Sequence, residues 1–148
     1  MSYGLRSYKT SRANTASRED LLILLYEGAI RFLERSIEEL AEGRLSEHKM
    51  SLRRGIAIIA ELQNTLNFEK GGELATQLFD LYAYMLDQLT QANLRKDASL
   101  IREVIGHLNT LLDGWRDAVR QVKSGSIAPL PPMETPVDAP PRRIGGVA

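Results

Sequence analysis

Between Ser17 and Lys123 the apolar residues recur at helical spacing and no proline interrupts them, since all six prolines lie in residues 124–148. An interior proline breaks the helical hydrogen-bond ladder, and the body of the chain shows neither strand alternation nor an internal repeat. The body is therefore expected to fold as helices in sequence, separated by short breaks. At 148 residues the chain has the size of one domain, long enough to bury roughly two thirds of its unfolded surface around a single core.

Four helices are expected. The first starts at Ser17, whose hydroxyl caps the first turn with Asp20 reaching back, and stops at Gly43. Its core stripe is Leu22, Tyr26, Ala29, Leu33, Ile37 and Leu40. The second runs from about Leu45 to Asn67, with Leu45, Leu52, Ile56, Ile59 and Leu66 inward. After a break at "FEKGG", the third extends from about Glu73 to Lys96 on Leu74, Leu78, Leu81, Met85, Leu89 and Ala92. Asp97 caps the fourth, whose single seam is Ile101, Val104, Leu108, Leu111, Trp115 and Val122. Helices of roughly 24 residues are each about 36 Å long, and short links make neighbours antiparallel. The expected fold is all-α, an antiparallel up-down four-helix bundle over residues 17–123. A short, partly ordered N-terminal segment, 1–16, precedes it, and a flexible Pro-rich tail, 124–148, follows.

Composition then removes classes of function. The 19 Lys and Arg balance 19 Asp and Glu, so no global field gathers nucleic acid or anionic lipid. With no cysteine there are no disulfides, thiolate catalysis or cysteine zinc sites. No apolar run approaches the ~20 residues of a membrane span, and "MSYGLRSYKTSR" lacks a signal peptide's apolar core, so a cytoplasmic location and no direct membrane insertion are expected. Neither His48 nor His107 is expected to have a carboxylate or second histidine at ligand spacing, and neither a metal nor a cofactor is expected. His107, on the flank of the fourth helix, is the only candidate for enzyme-like chemistry, as a phosphate carrier in a phosphotransfer bundle. No catalytic residue is nominated, since no Gly-rich loop opens a helix and no nucleophile elbow occurs.

What remains is surplus apolar surface. "LLILL", residues 21–25, is too continuous for one face, and Leu21, Leu25, Gly28 and Phe32 form a second stripe beside the first. Gly55, Ile58 and Leu62 do so on the second helix, and Ala75, Phe79, Tyr82 and Leu86 on the third. A broad core, the N-terminal segment folded back, a homodimer, or a groove for an amphipathic partner would each cover it.

At these residues the chain resembles the flagellar secretion chaperone family FliS. The likeness is carried by Tyr8, "TASREDLLILLYEGAIRFL", "LRRGIAIIAELQNTLNFEKGGELATQLFDLYAYM", "QAN" and Trp115, over most of residues 8–118. The family usually has Pro after Thr-Ala-Ser, where this chain has Arg18. The resemblance implies a non-enzymatic chaperone that binds the disordered C-terminal region of flagellin, one-to-one, in the cytoplasm. It further implies that the chaperone prevents premature polymerisation and delivers the cargo to the flagellar type III export gate. Ile58, Leu62, Phe79, Tyr82 and Leu86 are then the expected cargo-binding positions, with Leu24 and Leu25 beside them. Leu5 and Tyr8 are expected to cap the groove or dock at the export gate, while Tyr26 and Gly28 are expected to be structural. A homodimeric adaptor without flagellin cargo is the alternative.

Overall fold

In a computed structural model of the protein, which describes residues 18–125, three chemically marked breaks separate four helices. They are α1 (Arg18–Ala41), α2 (Leu45–Asn64), α3 (Phe68–Arg95) and α4 (Ala98–Lys123). Gly43, at φ 75°, ends α1: its N–H donates to Leu40 O and the Arg44 N–H reaches back to Glu39 O. That is the left-handed helix stop for which glycine carries no side-chain penalty. Lys96 takes the same left-handed conformation after α3, and Asp97 caps α4 by accepting from the Ser99 N–H at 2.9 Å, as its position before the seam predicts. The expected Ser17 cap, the N-terminal segment and the tail beyond residue 125 lie outside the described residues.

The second break differs from expectation. Helix α2 ends at Asn64, not Asn67, and Asn67 instead caps α3, its Oδ1 accepting from the Lys70 N–H at 2.9 Å. "FEKG" is thereby wound into a first helical turn, and the backbone bends at Gly72 (φ 54°, ψ −129°). A local side-chain cap outweighs the two glycines as a start signal, while Gly72 supplies the conformation that the bend requires.

Antiparallel order follows from contacts in which one residue number rises as the other falls. Lys123 pairs with Asp20 at 2.8 Å and Arg116 with Glu27 at 2.7 Å across α4 and α1. On the other side of α1, His48 Nδ1 donates to Ser36 O at 2.8 Å, and Gly55 and Ile58 face Leu33 and Gly28 in turn. Helix α1 packs on α2 and α4, and α3 packs on the same two. This closes a four-cornered bundle in which α1 and α3 face each other across the core. There the Tyr26 and Tyr82 hydroxyls meet at 2.5 Å, both rings fully buried.

Most of the expected stripes are the core. Leu22, Tyr26, Ala29 and Leu33 are buried, as are Leu52 and Ile59, and Leu78, Met85, Leu89 and Ala92. On α4 the seam runs through Ile101, Val104, Leu108, Leu112, Trp115 and Val119; the expected Leu111 and Val122 are only half-buried. Leu45 and Leu74 are exceptions, 49% and 45% exposed, because each stands in or near the first turns of its helix, beyond the reach of a full set of neighbours. Of "LLILL", Leu21, Leu22 and Leu25 are buried and Ile23 and Leu24 half-buried, so α1 spends a wide arc on two neighbouring helices. No described helix is long and apolar enough to cross a membrane.

Candidate partner-binding surface

The surplus apolar stripes have different fates on the two sides of α2. Gly55, Ile58 and Leu62 face α1. Ile58 is 5% exposed and its Cδ1 lies 3.5 Å from where a Cβ on Gly28 would sit. A Cβ on Gly55 would stand 2.7 Å from Leu33 Cδ2, closer than atoms pack, so glycine here permits the approach of two helices. The second stripe of α2 is thus a helix–helix interface. Ile58 and Leu62, expected at a cargo groove, are closed off in this state, and so is Leu25. Gly28 and Tyr26 are structural, as their positions predict.

Tyr82 also points inward. Burial pushes the Tyr26 hydroxyl from 10.0 up to about 12, against the lowering effect of its bond to Tyr82, and raises Tyr82 well above the usual tyrosine range. The Trp115 indole opposes the Tyr26 rise from nearby, although its N–H makes no hydrogen bond of normal geometry. Two neutral hydroxyls sharing one bond therefore tie α1 to α3.

The α2-facing flank of α3 is different. Phe79 is 40% exposed and Leu86, seven residues on, is half-buried against the core. Phe68, at the start of α3, is 50% exposed, and its ring lies 5.9 Å from that of Phe79 at 57°, a tilted aromatic pair. Gln63 Nε2 donates to Phe79 O at 3.1 Å and pins the end of α2 beside this pair. Ile56, two turns earlier on the same side of α2, is half-buried. Phe68, Phe79, Leu86 and Ile56 thus form an apolar strip along the α2–α3 edge. Of the seven nominated bundle positions, Phe79 and Leu86 reach this strip and Leu24 is half-buried on α1; Leu5 and Tyr8 lie outside the described residues. Phe68 is the addition that periodicity misses, because "FEKGG" reads as a break; the signal is Asn67, a capping residue immediately before it.

The polar groups elsewhere among the described residues pair with one another on the surface. On the α3–α4 face Tyr84 OH and Gln88 Nε2 each donate to the Glu103 carboxylate, at 2.5 and 3.0 Å, while His107 Nε2 stands 3.5 Å from the same carboxylate. The Tyr84 bond chiefly holds the Glu103 carboxyl below its ordinary range. His107 therefore does have a carboxylate at helical spacing, contrary to the sequence expectation, and a carboxylate beside Nε2 repels an incoming phosphoryl group. Among the described residues no group of His, Asp or Glu is placed to hold a metal. On α1, Phe32 lies under the guanidinium groups of both Arg35 and Arg54, 5.4 and 5.8 Å from its ring centre.

Comparison with known proteins agrees with this fold. Residues 1–122 match the family described as flagellar protein FliS. The flagellar secretion chaperone FliS of Campylobacter jejuni is 36% identical over 111 residues, 75% of this chain and 87% of the relative. That of Salmonella typhimurium is 38% identical over 118 residues, 76% and 87% of the two chains. That of Bacillus subtilis is 29% identical over 127 residues, 82% and 94%. A crystal structure of a bacterial flagellar chaperone superimposes with a TM-score of 0.67 at 22% identity, covering 80% of this chain and 98% of that one, and so shares the fold. The helical bundle, the family match and the identity to these relatives together place the chain in the FliS family of flagellar proteins.

Proposed function

We propose that the chain is a flagellar export chaperone that binds the C-terminal region of flagellin in the cytoplasm, one-to-one, and presents it to the type III export apparatus without catalysis. The relatives named as secretion chaperones support the role. The observation that carries the binding mode is the apolar strip beside a closed α1–α2 interface, with Phe68 and Phe79 exposed and Leu86 and Ile56 half-buried. An amphipathic segment lying along that strip gains apolar contact that water otherwise occupies, with the aromatic pair as anchor. Coupled folding of such a segment typically buries on the order of 1,000 to 3,000 Å² and loses several kcal/mol to ordering, which makes a firm complex releasable without nucleotide hydrolysis. Leu24 extends the surface on α1. Ile58, Leu62, Tyr82 and Leu25 join it only if cargo opens the bundle, and Leu5 and Tyr8 serve as cap or export-gate contact.

Calorimetric titration with a peptide spanning the flagellin C-terminal region tests this reading. A one-to-one complex with a strongly negative heat-capacity change is expected, lost in a Phe68→Asp, Phe79→Asp variant that keeps its helicity. Absence of heat at several temperatures, with a dimer in sedimentation, would favour the self-associating adaptor instead. Deleting residues 1–15 is expected to tighten binding or leave it unchanged if that segment is a displaceable cap; loss of binding would make it a contact.

A further inference from the structure

The aromatic pair has a second candidate occupant, carried by the chain itself. Residues 126–148 lie outside the described bundle and beyond the family match, which ends at residue 122. Within them Ile127, Leu130, Met133, Pro136 and Ala139 are spaced by three, so a polyproline II helix, with three residues per turn, carries them all on one side. Pro129, Pro131 and Pro132 favour that conformation before any contact is made.

The attachment point suits the reach. Helix α4 ends at Lys123, held to the start of α1 by Asp20, and Gly125 (φ 82°) turns the chain out of the helix. The Tyr84–Glu103 bond sets the register of α3 against α4, and counting from it places Phe79 level with Leu108, about 22 Å along the axis from Lys123. Helix axes pack about 8–10 Å apart, and the residues from Ser124 to Met133 span about 31 Å as polyproline II. That length covers the axial distance and the crossing of α3. Aromatic-lined grooves are the surfaces that polyproline II segments recognise, and tethering supplies a local concentration of about millimolar order, so weak contact suffices.

We propose that residues 130–133 dock intramolecularly, as a polyproline II strand, on the Phe68–Phe79 pair at the α2–α3 edge, with residues 124–129 spanning the way to it. The tail is then a built-in cover for one end of that apolar strip, and this inference stands whether or not flagellin binds there.

The chain has no cysteine, so Thr135→Cys in the full-length protein gives a single site for a nitroxide label. The expected result is loss of amide signal intensity at the end of α2 and over Phe68–Phe79, recovered on reducing the nitroxide. Adding Leu130→Asp and Met133→Asp to the labelled chain should abolish the loss. Uniformly weak broadening, broadening confined to the last turn of α4, or selective broadening that survives the two substitutions would overturn the proposal. In a mixture of isotope-labelled chains without the nitroxide and unlabelled chains carrying it, the isotope-labelled amides should stay sharp. Broadening there would make a second copy, not the chain's own tail, the occupant.

Discussion

The two sides of α2 carry similar apolar stripes and use them in opposite ways. Toward α1, Gly55 and Gly28 remove the side chains that would hold the helices apart, and Leu33, Ile58 and Leu62 close the gap until little or no surface is left. Toward α3, no glycine draws the helices together at Phe79, and the large ring stays at the rim with Phe68 against it. Hydrophobic character alone does not separate an interior from an exposed surface; how closely the two backbones approach does.

Truncation on the closed side should have the largest effect. Leu62→Ala is expected to cost about 2–5 kcal/mol, read from urea unfolding, because Leu62 is fully buried and the tight interface cannot collapse around the void. A loss under ~1 kcal/mol would mean that this interface is looser than the structure shows. On the open side, Phe79→Asp should cost no more than about 2 kcal/mol of stability, from lost helix propensity and the broken aromatic pair, yet weaken flagellin-peptide binding by about a hundredfold. If stability falls by more than about 3 kcal/mol, Phe79 belongs with the core.

The tyrosines sharpen the same contrast at a middle scale. Tyr82→Phe leaves the buried Tyr26 hydroxyl without its partner and should destabilise by about 1–3 kcal/mol, whereas Tyr84→Phe on the exposed α3–α4 face should stay within about 0.5. The buried pair also predicts an alkaline limit. Because Tyr26 is raised from 10.0 to about 12 in the folded state, the unfolded chain loses its proton first. Stability is therefore full below pH 10 and falls between pH 10 and about 12, a decline that denaturant titrations at pH 9 and 11 would measure. A flat profile would contradict the burial of this pair.

The smallest pair of effects compares two glycines. Gly55→Ala gains up to about 1 kcal/mol of helix propensity but forces a methyl into Leu33, and a net loss of about 1 kcal/mol is expected. Gly106→Ala meets nothing within 4 Å and should stabilise by about 0.5–1 kcal/mol. Equal signs in thermal melts would remove the case for glycine-mediated closure of the α1–α2 side.

Helix number, antiparallel order and most of the core were legible in the chain because they depend on local chemistry: apolar residues at helical spacing, Gly43 as a stop and Asp97 as a cap. The candidate site was legible only in part. Phe79 and Leu86 were found by periodicity, but the same reasoning placed Ile58, Leu62 and Tyr82 beside them and passed over Phe68. A helical wheel shows which residues share a stripe and carries no information about which neighbour that stripe meets. Tertiary packing decided that, by bringing Gly55 against Leu33 on one side and leaving Phe68 and Phe79 uncovered on the other. Spacing along the chain follows from bonds within one helix, whereas exposure follows from the distance between two.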